Sequence, residues 1–140
     1  MDKQIIGKIN FNSYLVDTLR FEINTDFVAT ENIELELSFN RNIVIDPDNH
    51  NAVIRLACTI YDNYKEKNYP FYIFVQIRAI FKYESEMSLE ETKNMLETNG
   101  IAIVFPYLRS IISVVTANAG LPPLIIPTIN IIEMLKTQNK

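Results

Sequence analysis

The stretch FYIFVQIRAIFKY, residues 71–83, decides the fold. Its alternate positions Phe71, Ile73, Val75, Ile77, Ala79 and Phe81 make an unbroken apolar face, which is the period of a long strand. The other face starts with Tyr72 and Phe74 before turning polar at Gln76 and Arg78. Aromatic groups there mark either a contact surface or cross-strand packing. Upstream, residues 53–61 are again β-branched and aromatic. Residues 33–40 alternate Ile33, Leu35, Leu37 and Phe39 with Glu34, Glu36, Ser38 and Asn40, as a strand wet on one side does. Residues 9–23 alternate imperfectly, and the change of phase near Asp17 and Thr18 predicts a β-bulge, after which Leu19, Phe21 and Ile23 share one face. Polar connections at residues 46–51 and 62–68 suit tight turns rather than crossover helices. Four strands in this arrangement predict an antiparallel sheet running as a meander.

Helical signals follow. Ser88 with Glu91 three residues later can close a capping box, and Asn99-Gly100 predicts the end of a short helix. A longer helix covers residues 101–118; Pro106 inside it implies a start near Phe105 or a kink. After the apolar, proline-rich connection at residues 121–127, Asn130 with Glu133 caps a last helix running to about Thr137. On the long helix Ile101, Val104, Phe105, Leu108, Ile111, Ile112 and Val115 form a stripe broad enough to cover the sheet. Ile103, Tyr107 and Val114 gather on the opposite side around Ser110 and Ala117. That second stripe predicts an interface with helices of other subunits, the bland alternative being a few tolerated exposed apolar residues. The whole reads as a single α+β domain, residues 1–140, with helices packed on one face of the sheet.

Composition narrows the function. The chain has 140 residues, 48% hydrophobic and 21% charged, so it is globular and able to bury a core. A net charge of −4 disfavours nucleic acid as a main partner. One cysteine, Cys58, and one histidine, His50, exclude a disulfide framework and a single-chain Cys/His metal cluster. His50 in a polar turn reads as solvated and Cys58 in a strand as a small buried hydrophobe. The Asp46, Asp48 and Asn49 turn lacks the glycine and terminal glutamate of a calcium loop. No catalytic constellation or cofactor motif appears, so an enzyme is not expected. The first residues lack the apolar run of a secretory signal, which predicts a cytoplasmic protein. The apolar window at residues 101–115 falls short of a bilayer span, so direct membrane insertion is not expected either.

The C-terminal third resembles the SecB export chaperone family in Phe105, Pro106, Tyr107 and Arg109, then in Gly120, Pro122, Pro123, Leu124 and Asn130. Weaker similarity extends over most of the chain. The resemblance implies a dimer of dimers, a homotetramer with the long helices between dimers. It also implies a non-catalytic holdase that binds unfolded preproteins in hydrophobic grooves without ATP and passes them to the translocation motor SecA. By position, Ile33, Leu35 and Leu37 with Leu121, Leu124, Ile126 and Ile129 match the groove wall of the family. Asp17 and Glu22 sit where acidic residues dock the basic tail of SecA, whereas Phe74 stands where a glutamate is usual, which implies weaker docking. Leu121 and Ile131 replace the more usual phenylalanines, and the basic end at residues 136–140 replaces a longer acidic tail. These departures fit a divergent member, and some such relatives protect an antitoxin. A function of another class, carriage of an apolar small molecule, would require a closed cavity in place of an open groove.

Overall fold

Alternation of inward apolar residues with outward, more polar ones builds four strands, β1 (Ile9–Ile23), β2 (Leu37–Asp46), β3 (Asn51–Ile60) and β4 (Phe71–Tyr83). The computed structural model describes residues 8–127 and 129–138. Residues 1–7, part of the segment read above for a secretory signal, and residues 139–140 of the basic end lie outside the described residues. The sheet is antiparallel, with helices on one face, as expected. Its order is β1-β4-β3-β2. The last three strands form a meander of hairpins, but β1 lies beside β4 and not beside β2. The connection at residues 24–36 makes this possible by crossing the end of the sheet. Asn24, itself buried, secures the crossing: its amide N–H donates to the Pro70 carbonyl at 3.0 Å and its side chain to the Tyr69 carbonyl at 2.9 Å.

Two register shifts in β1, one between Phe11 and Ser13 and one between Val16 and Thr18, account for its imperfect alternation. Each bulge absorbs one residue and resets the phase. Phe11, Tyr14, Val16, Leu19, Phe21 and Ile23 therefore all pair with the inward residues of β4. Asp17 is the bulged residue of the predicted site; the second bulge, at Asn12, has no signal in the sequence. The strand read at residues 33–40 is displaced. Leu37 pairs with Ile60, and β3 ends there because Tyr61 takes a left-handed φ of 59°, so residues 33–36 continue as an extended but irregular segment.

The helical run is continuous from Leu89 to Asn118. Ser88 Oγ accepts from the Glu91 amide at 3.1 Å and opens α1 (Leu89–Met95); a π-helical turn (Leu96–Gly100) then leads into α2 (Ile101–Asn118), and α3 (Ile131–Gln138) follows. The expected stop at Gly100 does not occur. Its φ of −60° is ordinary helix, and the glycine serves a close approach instead, since a Cβ there would lie 2.7 Å from Ile54 Cδ1. Pro106 sits well inside α2, which starts ahead of it. By length and composition the run would suffice to cross a bilayer. Ile101, Val104, Phe105, Leu108, Ile112 and Thr116 are nevertheless buried, and α2 packs on β3 and β4. Its apolarity is that of a core helix.

The Gly100 contact yields a test. Gly100→Ala should destabilise the fold by about 1–3 kcal/mol through overpacking, although alanine is the better helix former. Ile54→Val, which removes the clashing methyl group, should recover part of that loss in the double variant. Strictly additive urea midpoints for the two substitutions would contradict the contact.

Candidate functional site

An apolar loop on a protein surface must still satisfy its backbone, and in residues 121–127 that task falls to one side of α2. Arg109 Nη2 donates to the Ile126 carbonyl at 2.8 Å, and Ser113 Oγ donates to the Leu124 carbonyl at 2.8 Å. Thr116 Oγ1 accepts from the Leu124 amide at 2.8 Å and donates to the Ile112 carbonyl at 3.0 Å. The Leu121 amide bonds the Thr116 carbonyl at 3.1 Å, and Gly120 makes the turn at a φ of 89°. The spacing 109, 113, 116 places the three side chains on one helix face. Sequence reading passed over Ser113 and Thr116. Their signal is that, of the three short hydroxyl side chains Ser110, Ser113 and Thr116 in a mostly apolar helix, these two fall on the face of Arg109, just before a loop without regular partners.

So fastened, the loop displays Ile125, which is 70% exposed, while Leu121 and Leu124 stay half-buried. Ile126 departs from the groove wall expected of it: its side chain is fully buried in the core, drawn inward where Arg109 holds its carbonyl. Ile129 is half-buried. Ile33, Leu35 and Leu37 are also half-buried and pack against the same core, each with part of its surface free.

Their segment is tied down from the other side. The Tyr61 amide donates to the Glu36 carbonyl at 3.0 Å, and Tyr69 Oη donates to the Glu36 carboxylate at 2.7 Å, with Lys67 Nζ at 3.4 Å. Tyr61 and Tyr69 stack with ring centroids 4.5 Å apart. The hydrogen bond from Tyr69 holds the Glu36 carboxyl below its ordinary range, and the same bond pushes the Tyr69 hydroxyl up.

The opposite face of the sheet carries Asp17, Glu22 and Phe74. Asp17 lies 3.0 Å from Arg78 Nη2 and 3.5 Å from Arg55 Nε, and Gln76 Nε2 donates to it at 3.4 Å. Glu22 pairs with Arg20 at 2.6 Å and accepts from Tyr64 Oη at 3.1 Å. The Tyr64 hydrogen bond, then Arg20, lowers the Glu22 carboxyl. Both carboxylates are thus committed within the chain, and half-buried Phe74 adds none.

On α2, Ile103, Tyr107, Ser110, Val114 and Ala117 are all exposed, Val114 at 54%. Tyr107 partly covers the start of β1, stacking on Phe11 at 5.2 Å. Farther along β1 the inward face loses its helical cover, leaving Val16, Leu19 and Ile23 nearly half exposed. Away from these surfaces, His50 sits in its turn at a φ of 53°, and burial pushes the Cys58 thiol up to about 12. Among the described residues no group of three His, Cys, Asp or Glu could hold a metal ion.

Two outcomes follow from the ties. Thr116→Val keeps the shape but strands the Leu124 amide, so that amide should exchange faster by about 1–3 kcal/mol of lost protection while β3 and β4 keep theirs. Uniform loss of protection would show that Thr116 supports the core and not the loop. A carboxyl with a lowered pKa stabilises the fold above its unfolded value and ceases to do so as pH falls through the folded one. The Tyr69 ring resonances should therefore titrate with a midpoint below 4.5, and Glu36→Gln should abolish the shift. A midpoint at or above 4.5 would contradict the bond.

Comparison with known proteins gives this geometry a context. A family profile described as Preprotein translocase subunit SecB matches residues 8–140. The protein-export protein SecB of Orientia tsutsugamushi (strain Boryong) is 32% identical over 133 residues, covering 91% of this chain and 81% of that protein. An uncharacterized protein of Methanocaldococcus jannaschii is 29% identical over 133 residues, covering 91% and 82%. In structure, the SecB-like chaperone Rv1957 of Mycobacterium tuberculosis, solved with a peptide of the HigA1 antitoxin, matches with a TM-score of 0.73 at 19% identity over 88% of this chain and 91% of that one. That likeness shows the fold, and the match over nearly the whole sequence shows the kinship: the chain belongs to the SecB family of chaperones.

Proposed function

We propose that this protein is an ATP-independent holdase that keeps non-native polypeptides from aggregating. The observation that carries the reading is the rigidly fastened apolar loop. Leu121, Leu124 and Ile125 are presented at the surface by bonds from Arg109, Ser113 and Thr116. Ile33, Leu35 and Leu37 supply a second half-exposed apolar wall. Aliphatic surface binds by non-directional burial, about 25 cal/mol per Å², and so tolerates many client sequences. A surface held open by its own hydrogen bonds also loses little entropy when a client docks. This favours an open binding site over the closed cavity of a small-molecule carrier, and it calls for no catalysis.

Clients would be preproteins handed to SecA in the cytoplasm, or a single dedicated partner such as an antitoxin. The internal pairing of Asp17 and Glu22 favours the second, because neither carboxylate is free for a basic tail without breaking an existing pair. The exposed stripe of Ile103, Tyr107 and Val114 with the bare inward side of Leu19 and Ile23 supports assembly into a homotetramer. Light scattering should read a four-subunit mass, and a monomer at micromolar concentration would contradict it.

Without nucleotide, the protein should suppress aggregation of a slowly refolding client. Changing Leu35 and Leu124 together to Ser should weaken this markedly and leave the circular dichroism spectrum unchanged. A folded double variant that protects as well as the parent would move the binding surface elsewhere, and an unfolded one would return both side chains to the core.

A further inference from the structure

Arg55 and Arg78 are direct cross-strand partners on the outward face of β3 and β4. Like charges so placed repel. One carboxylate holds them together, Asp17 on its bulge, at 3.5 Å from Arg55 and 3.0 Å from Arg78. The compensation is partial. Two guanidinium groups face one carboxylate, and their side chains keep 37% and 40% of their surface while Asp17 keeps 16%. Arg78 Nε is buried without a hydrogen-bond partner among the described residues. In a chain of net charge −4, this is a local excess of positive charge in the middle of a sheet face.

A hollow of mixed lining, with Phe74 and Ala57 among polar side chains, adjoins it. Ala57 stands in register between Asn40 and Gln76, and its short side chain leaves an open depression of about 500 Å³ rimmed by Ser38, Asn40, Thr59, Phe74 and Gln76. A smaller hollow of about 50 Å³ shares Asn40, Ala57 and Gln76 with it and reaches Arg55. The face lies on the side of the sheet away from the helices, so it is separate from the loop at residues 121–127.

We propose that this face docks an acidic peptide segment of a partner protein. A carboxylate of the segment meets Arg55 and Arg78, and a neighbouring apolar side chain enters the hollow against Phe74. Charge complementarity selects the occupant: a basic segment would meet Arg55 and Arg78, whose two charges exceed the one that Asp17 supplies, while Arg20 and Glu22 neutralise each other. A nucleic acid would need a longer track of positive charge than one arginine pair offers. The proposal does not rest on the holdase reading.

The test uses two fluorescein-labelled peptides, one alternating Glu and Phe and one alternating Lys and Phe, with fluorescence anisotropy in low and moderate salt. The full chain should bind the acidic peptide, more weakly as salt rises, and should not bind the basic one. Arg78→Gln should weaken binding about five- to ten-fold, as loss of a charge-assisted hydrogen bond does. Asp17→Asn, which removes the internal competitor, should strengthen it about two- to five-fold. The opposite signs keep the test decisive if one variant folds poorly. In methyl NMR spectra the acidic peptide should shift Ala57 and Thr59 and leave Leu121 and Leu124 in place. Equal binding of both peptides, an affinity unmoved by either variant, shifts at Leu121 and Leu124 instead, or tighter binding of a single-stranded oligonucleotide would each overturn the proposal.

Discussion

An apolar segment still carries a polar backbone, and the structure depends on how residues 121–127 satisfy theirs. A buried or half-buried amide without a partner costs about 1–3 kcal/mol, enough to melt a short loop. Regular structure cannot supply the partners, because Pro122 and Pro123 lack N–H groups and the loop runs between two helices. Arg109, Ser113 and Thr116 supply them from one face of α2. The sheet beneath α2 fixes the helix, the helix fixes the loop, and the loop can then show Leu and Ile side chains to solvent without collapsing onto the core. Rigidity here is what lets apolar surface remain available.

The same logic of shared partners organises the other face. Asp17 exists as an outward residue because a bulge turns it outward, and its position beside Arg55 and Arg78 lets two like charges stand side by side across a strand pair. Glu22 is tied to Arg20 and Tyr64 in the same way. Carboxylates that in sequence look free to attract a basic partner are in structure the counter-ions of their own neighbours. The two faces therefore differ in kind, one aliphatic and beside the helices, the other framed by arginine.

Local chemistry was legible in the sequence and long-range geometry was not. The bounds of β1 and β4, the bulge at Asp17 and the caps at Ser88 and Asn130 rest on near neighbours, and all appear where they were read. The place of β1 beside β4 rests on a crossing that no local pattern encodes. Residues 33–36 alternate like a strand yet lie outside the ladder, with one backbone bond from the Tyr61 amide to the Glu36 carbonyl, because the left-handed Tyr61 ends the partner strand. Gly100 looked like a helix stop, since a glycine kept for lack of a Cβ and one kept for a positive φ are identical in sequence. Ile126 and Leu124 are equally apolar and both are held by α2 through their backbone, so only their packing in the fold, with Ile126 fully buried and Leu124 half-buried, shows which of them turns inward.

The central claim is that a client lies against the fastened loop and the segment facing it. Backbone hydrogen exchange of the protein with and without a permanently unfolded polypeptide tests this most directly. The account predicts added protection at residues 33–37 and 121–126 and little change on the outward face of β3 and β4. Protection confined to that outward face, or spread evenly over the sheet, would contradict it.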